Sequence, residues 1–419
     1  MCEKNQEKLK DFILSLSKPV VFHGRIDDWE VLKWNIEDWS TAFGKKLLPF
    51  RCGVRSCSLQ PLWERYCGRE VMTLAEFASI QRNPKELKDS GKWFYFDYKY
   101  LNEWTPQDNN ALKSVSWSSL GFPEMEVAGS TLWIGSGGAH TPCHYDTYGS
   151  NLVAQVFGTK RWILWPPSES KTMRPTRVPY EESSVYSKWN FNCPLPSEFY
   201  HDCKEIYIVD LKPGDVLFVP RHWWHYVECL DTSVSINSWM ASNLDYVSRL
   251  DEALVKFTVS QVSKDLSLAD INVIVNPNED DVDSTPLSDS TNMITYCTDA
   301  LKSKITERSK CSDMDASDPL PVVDRAEYVP CSTLEELRNL TNDKCNCNSK
   351  ERHQRLMTES IMKAKDSGIL HRRYETPLQK VINAFCHPEV IEKVREKLLD
   401  SLNVGLDELI LMQESDVSK

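Results

Sequence analysis

Long apolar runs are missing from this chain of 419 residues. No uninterrupted stretch reaches the length of a membrane span, so no membrane is expected around it. The opening residues, Met1 to Lys8, lack the apolar core of a secretory signal. A basic excess is missing too. The formal net charge is −12, and a chain without surplus Lys and Arg is a poor binder of phosphate backbones, so nucleic acid is not expected as a partner. Zinc-like cysteine spacing is absent: the 14 cysteines are scattered, which predicts free thiols in a reducing compartment. Cys345-Asn-Cys347, with His353 nearby, is read as loop, because no second pair stands at zinc spacing. The expected location is cytoplasmic, with nuclear entry left open. No repeat of fixed period is found. What remains is enough chain for one large or two modest domains with a sizeable core.

Taken in order, Lys8 to Leu16 reads as helix and Pro19 to Phe22 as a short strand stopped at Gly24. Asn35 opens a helix, and so does Thr73, with Glu76 three residues on as the partner of a capping box. Trp93 to Tyr100 is an aromatic strand, read as core and sheet surface. From Thr131 short strands follow one another: Thr131–Ile134, Asn151–Phe157, Lys160–Trp165, Ile206–Val209, Val216–Val219 and Ser233–Trp239. Gly158-Thr159 and Pro213-Gly-Asp215 are turns between them. So many short strands argue for a sandwich or closed barrel. Pro166 to Lys204 reads as a long insertion near its mouth. After Trp239 the pattern becomes helical, from Asn243 to Val262 and again from Leu378 to Met412, with Val381, Phe385, Val390, Val394, Leu398, Leu399 and Leu402 among the apolar positions of the latter. Between them, Asn276 to Ser290 and Asp313 to Pro330 are polar, acidic and read as mobile linkers or surface loops. The division expected is 1–123, N-terminal helices and strands packing on the core; 124–242, the β core; 243–265, a helical extension; 266–335, an acidic linker; and 336–419, a C-terminal helical region.

The chemistry centres on Gly137-Gly-Ala-His-Thr-Pro-Cys-His144-Tyr-Asp146, answered by Pro220-Arg-His-Trp-Trp-His225. His144 and Asp146 lie two apart, so on a strand they share a face. His225 follows a second apolar strand. Two imidazoles and a carboxylate on neighbouring strands give three donors on one side of a metal and leave the other side open, the facial triad of non-haem Fe(II) oxygenases; the same donors suit Zn(II) or Mn(II). His140 and His222 are read as supporting or surface histidines. His23, His201, His353, His371 and His387 belong to no constellation. Trp223 and Trp224 are read as packing that holds His225.

Alternation puts Lys160, Trp162 and Leu164 on one face of their strand and Arg161, Ile163 and Trp165 on the other. If the first face points inward, Lys160 is a buried ammonium that needs an anion, which a carboxylate co-substrate would supply. In the opposite register Lys160 meets water and Arg161 points inward. Thr141 stands where it reaches the same carboxylate. The amides of Asn151 and Asn237 need partners, either a co-substrate or metal-bound oxygen, or the backbone.

Order, spacing and strand context resemble the JmjC (jumonji C) oxygenases, in the cupin-like double-stranded β-helix class, and within them the group around the asparaginyl hydroxylase known as factor inhibiting hypoxia-inducible factor. The matching pieces are Thr141 to Asp146, Asn151 to Pro167, Pro213 to Pro220, Trp223 to His225 and Ser235 to Trp239. The resemblance spans Pro19 to Met240. It implies a mainly β jelly-roll core with flanking helices and an α-helical C-terminal region. It also implies Fe(II) held by His144, Asp146 and His225, and 2-oxoglutarate chelating that metal with its far carboxylate on Lys160 and Thr141. Tyr95 is implied as a further contact, with Asn151 and Asn237 near the co-substrate and the oxygen site. The loop Asp146-Thr-Tyr-Gly-Ser-Asn151 has one residue more than in that hydroxylase, so substrate identity does not carry over. The acidic C-terminal extension is similar to a branch associated with small heat shock proteins, which implies such a partner. The expected function is an Fe(II)- and 2-oxoglutarate-dependent oxygenase, a protein hydroxylase that also binds a small heat shock protein. Three alternatives stay open: a catalytically weak or inactive adaptor that binds and inhibits a small heat shock protein; a histone lysine demethylase, for which no chromatin-reader module or basic cluster is seen; and a zinc or manganese cupin, which leaves Lys160 unexplained.

Overall fold

The computed structural model describes residues 3–54, 60–82, 91–105, 109–242, 244–276, 282–308, 325–344 and 375–404. Its strands are β1 Val20–His23, β2 Leu47–Val54, β3 Gly68–Thr73, β4 Lys92–Tyr100, β5 Thr131–Gly135, β6 His140–Asp146, β7 Ser150–Phe157 and β8 Lys160–Trp165. They continue with β9 Pro175–Thr176, β10 Ser184–Ser187, β11 Tyr207–Leu211, β12 Asp215–Val219, β13 Trp224–Cys229, β14 Ser233–Met240 and β15 Ala326–Tyr328. Among the described residues they form two antiparallel sheets. The larger runs β15-β1-β12-β7-β14-β5-β4-β2-β3 and the smaller β11-β8-β13-β6-β10-β9. Facing each other, they make the jelly roll that the strand pattern implied.

Strict alternation sorts the side chains into layers. On the outer face of the larger sheet Phe22, Phe50, Phe96, Leu132, Leu152, Phe218 and Ile236 bury against Leu9, Ile13, Trp39, Phe43, Leu74 and Phe77 of the N-terminal helices. Two of those helices start as expected: Asn35 and Asp38, then Thr73 and Glu76, exchange side-chain and backbone hydrogen bonds in capping boxes, each satisfying N–H groups that the helix leaves open. On the outer face of the smaller sheet Ile163, Trp165, Trp224 and Tyr226 meet Phe191, Phe199 and Leu337. Between the sheets lie Val153, Trp162, Leu164, Leu217 and Val227. The expected hairpin turn is present: Gly158 sits at φ +62°, where a Cβ would strike the Thr232 carbonyl.

Several sequence expectations are corrected. β2 and β3 were not foreseen; Pro49 and Gly53 interrupt the apolar pattern of β2, and its pairing with β4 and β3 holds it instead. The Pro166–Lys204 insertion is more than a loop. Its segment β10 pairs with β6, placing Tyr186 opposite His144 and Ser184 opposite Asp146. The stretch read as a surface loop before residue 290 runs into a helix, Leu287–Arg308, which packs Cys297, Leu301 and Ile305 against Leu250 and Leu254 of the Asp245–Ser263 helix. Within the second acidic stretch β15 pairs with β1. The C-terminal helical run breaks in two, Pro377–Phe385 and Pro388–Ser401, with His387 as the cap before Pro388. The break resets the helical phase. Ile382, Ile391 and Leu399 are buried, whereas Val381, Phe385, Val390 and Val394 lie exposed. Asn243, residues 313–324, Cys345, Cys347, His353, His371 and everything past Val404 lie outside the described residues. The described cysteines are all free thiols.

Candidate metal centre

β6 and β13 run antiparallel with His225 directly across from His144, and Asp146 stands two residues further on the same face. The imidazole rings lie 4.3 Å apart between centroids, and His144 Nε2 is 3.5 Å from Asp146 Oδ1. One ligand atom from each of the three residues falls within 4.8 Å of the other two. His144 Nδ1 sits 3.0 Å from the Pro142 carbonyl and His225 Nδ1 2.9 Å from the Trp223 carbonyl. A carbonyl can only accept, so each Nδ1 donates and each neutral ring keeps its Nε2 lone pair for the cavity. Asp146 Oδ2 accepts from Trp239 Nε1 at 2.9 Å and from Asn151 Nδ2 at 3.4 Å, which leaves Oδ1 turned toward His144. Burial works to raise the Asp146 carboxyl, but the adjacent His144, His225 and the Trp239 N–H outweigh it and hold it at about 2. Burial and the neighbouring His144 push His225 down to about 4. For His144 burial acts downward, yet Asp146 wins and raises it. An ionised carboxylate and two imidazoles on one side of an open space form a donor set suited to Fe(II), Mn(II) or Zn(II).

The space beside these donors is a cavity of about 560 Å³ between the two sheets. Thr141 and His144 both line it although they are three apart, an odd offset that alternation would put on opposite faces. A β-bulge reconciles them. The pairing steps from His225↔His144 to Val227↔Thr141, so Pro142 and Cys143 together oppose Tyr226, and Pro142, which has no N–H to give a ladder, occupies the bulge.

Lys160 faces the cavity and Arg161 does not, so the first of the two registers is the real one. Arg161 lies on the outer face, where Nε and Nη2 each donate to Asp210 at 2.7 Å. Lys160 is 1% exposed. Its Nζ donates to Ser235 Oγ at 2.6 Å and meets the Tyr95 hydroxyl at 3.4 Å, over the faces of Tyr95 and Trp133. No carboxylate among the described residues pairs with it, and burial lowers its pKa. Tyr95 is fully buried, hydrogen-bonds Thr141, and has its hydroxyl pushed well above the ordinary range by desolvation, so it stays protonated. Lys160 pairs across from Cys229 and His225 across from Leu164. The metal donors and the ammonium are thus four residues apart along a strand, ~13 Å between Cα atoms.

Asn151 and Asn237 take partners that neither reading of them anticipated. Asn237 Nδ2 donates to Asn151 Oδ1 at 2.9 Å, and Trp133 Nε1 donates to Asn237 Oδ1 at 2.7 Å. His140 is buried against Trp93 and Tyr226, and His222 lies beside Tyr145; neither lines the cavity. Trp223 and Trp224 bury in two different apolar layers, and the Trp223 carbonyl accepts from His225 Nδ1. His23, His201 and His387 are not among the cavity's residues. Sequence reasoning missed Ser235, though it shares the inward face with Asn237 two residues on. It also missed the buried Arg51–Asp97 pair in the wall (Nη2 to Oδ2 2.6 Å), with Glu64 3.7 Å from the same guanidinium and pushed up to about 7 by burial. Those residues come from β2, the segment after it and β4, whose pattern announced no site.

Comparison with known proteins places residues 6–246 in the match to a family described as a cupin-like domain. HSPB1-associated protein 1 of Homo sapiens is 42% identical over 282 residues, 65% of this chain and 58% of that protein. Its homolog from Danio rerio is 42% identical over 288 residues, 66% of this chain and 64% of that one. Lysine-specific demethylase 8 of Xenopus tropicalis is 28% identical over 244 residues, 56% of this chain and 50% of that protein. The match thus spans less than two thirds of each relative's own length.

Proposed function

This chain belongs to the cupin-like, JmjC-type domain family, and from that membership we propose that it is an Fe(II)- and 2-oxoglutarate-dependent oxygenase acting on a protein side chain as a hydroxylase. The observation that carries the reading is the pairing, in one cavity, of a three-donor metal face with a buried ammonium that has no anionic partner among the described residues. Bound together, Fe(II) and 2-oxoglutarate supply an oxidation in which dioxygen decarboxylates 2-oxoglutarate to succinate and inserts one oxygen atom into a substrate C–H bond.

The chain's own residues do the holding. Through Nδ1–H, His144 and His225 anchor on backbone carbonyls and offer Nε2 to the metal. Asp146 offers Oδ1 and, held low, stays ionised across the neutral range. Lys160 supplies the positive charge for the far carboxylate of 2-oxoglutarate, with Ser235, Tyr95 and Thr141 as hydroxyl donors around it. The buried charge that costs stability without a ligand becomes the ligand's anchor once an anion arrives. The ring of Trp162, 5.5 Å from that of His225, lines the cavity beside the metal donors.

The test is a titration of 2-oxoglutarate into anaerobic, Fe(II)-loaded protein, followed by the metal-to-ligand absorption of the chelate. The band is expected in the wild type and lost in His144→Ala and Lys160→Ala. Iron binding without the band would assign the triad to another cupin chemistry.

The name of the human relative supports a small heat shock protein as the partner or substrate. A second reading, an adaptor in which catalysis is secondary, is favoured by the exposed Val381, Phe385, Val390 and Val394 on helices outside the matched domain. Replacing Phe385 and Val394 by Ser should weaken binding of a small heat shock protein and leave 2-oxoglutarate turnover unchanged. Loss of turnover with binding intact would count against it.

A further inference from the structure

Four strands contribute to the orientation of one carboxylate. Trp133 on β5 donates its indole N–H to Asn237 Oδ1 on β14 at 2.7 Å. Asn237 Nδ2 donates to Asn151 Oδ1 on β7 at 2.9 Å. Asn151 Nδ2 donates to Asp146 Oδ2 on β6 at 3.4 Å. The first three strands are neighbours in the larger sheet and the fourth belongs to the smaller, so the chain of hydrogen bonds crosses the cavity wall from one sheet to the other. Its direction is set at the start. An indole N–H has no acceptor function, so Asn237 must turn its oxygen to Trp133 and its nitrogen away. That nitrogen can only meet Asn151 by its oxygen, which in turn aims the Asn151 nitrogen at Asp146. Asn151 and Asn237 are 5% and 2% exposed, so the amides are held by protein partners and by the cavity they line.

The start is itself held. Trp133 lies tilted against Tyr95 at 5.8 Å and edge-on to Tyr98 at 5.9 Å. Tyr98 sits at φ +53°, within a bulge where Asp97 and Tyr98 oppose the single residue Trp133. A bulky residue in the left-handed region persists only where its surroundings hold it. Here they hold it against the ring whose N–H begins the relay.

We propose that Trp133 is a positioning residue for the metal. By fixing the amides of Asn237 and Asn151 it keeps a donor on Asp146 Oδ2 and so presents Oδ1 alone to the ion. The inference rests on the triad reading above, and concerns how the carboxylate is aimed rather than whether it binds. Trp239, which donates directly to the same oxygen at 2.9 Å, acts on Asp146 by a separate route.

Co(II) titrated into metal-free protein, followed by calorimetry and visible absorption, tests this without any turnover. Trp133→Phe keeps the ring and removes the N–H. It should weaken Co(II) about 10-fold, as loss of a partner to a ligand does. Asn237→Asp keeps the acceptor for Trp133 and loses the donor to Asn151, and should cost the same, which covers the case that Trp133→Phe folds poorly. The readout that a merely structural role would not move is coupling: Trp133→Phe added to Asn151→Ala should cost nothing further, whereas Trp133→Phe and Trp239→Phe should add. Wild-type affinity in both Trp133→Phe and Asn237→Asp, or simple additivity of Trp133→Phe with Asn151→Ala, overturns the relay while the triad stands. Failure of the wild type to bind Co(II) at all overturns the triad reading and the relay with it.

Discussion

The two ends of the cavity solve opposite electrostatic problems. At the His144–Asp146–His225 end the charge is over-provided. The Asp146 carboxylate has two donors on one oxygen and an imidazole at the other, and is held at about 2 against its own burial. At the Lys160 end the charge is under-provided. A buried ammonium has a hydroxyl at 2.6 Å, ring faces and, among the described residues, no carboxylate. A core built for stability alone would pair these charges with each other or replace them by apolar side chains. Keeping them apart stores binding free energy for a ligand that brings an anion to one end and metal-coordinating oxygens to the other.

Substitutions at either end of the cavity separate the two roles. The largest effect is expected from His225→Ala, which removes a metal donor outright: calorimetry with Co(II) or Fe(II) should show affinity down at least about 100-fold, beyond what loss of a supporting partner costs. Lys160→Met comes next, and its two effects should differ in sign. The affinity for 2-oxoglutarate in the metal-loaded protein should fall at least about 30-fold, as expected when one partner of a buried charge pair is truncated. The melting temperature of the ligand-free protein should hold or rise, because an unpaired buried charge has gone. A fall in both would mean that Lys160 serves the fold rather than a ligand.

Smaller effects sharpen the contrast. Burial pushes His140 and His225 down to about 4 and His222 well below its usual value. In metal-free protein these rings are neutral when folded and charged when unfolded between about pH 6.5 and 4. The unfolded chain binds more protons there, so stability should fall as pH drops through that window, with His140 and His225 each contributing about 3 kcal/mol and His222 acting in the same direction. His144, raised by Asp146, opposes the trend. Urea midpoints in EDTA at pH 7, 6 and 5 measure the slope, and His140→Gln should flatten it. The smallest effect belongs to Arg161→Ala. Its partner Asp210 is part-exposed, so a stability change within about 1 kcal/mol and unchanged 2-oxoglutarate affinity are expected, one residue away from Lys160.

Much of this architecture was legible in the chain, for a physical reason. A short apolar run bounded by turn residues marks a strand buried on both faces, and β5, β7, β8, β12 and β14 were all read from such runs within a residue or two. His144 and Asp146 on one face followed from the two-residue period of a strand. What was not legible was whatever departs from the period or borrows stability from a neighbour. β10 carries too little apolar character to be read alone and exists because β6 offers it an edge. The Leu287–Arg308 helix begins in a polar stretch, and its buried positions have meaning only against the Asp245–Ser263 helix.

Sequence by itself determined which donors exist and in what strand context: His144 and Asp146 two apart, His225 on a later strand, Lys160 alternating away from Arg161. Tertiary structure alone decided the register that turned Lys160 inward and the bulge at Pro142 that let Thr141 and His144 share a wall. It also decided the relay through Trp133, Asn237 and Asn151 that aims Asp146. Each of these depends on at least one contact between residues far apart in the chain, such as Trp133 and Asn237 or His144 and His225. Local periodicity carries no information about which strand lies beside which, or about where one extra residue shifts the pairing by a step.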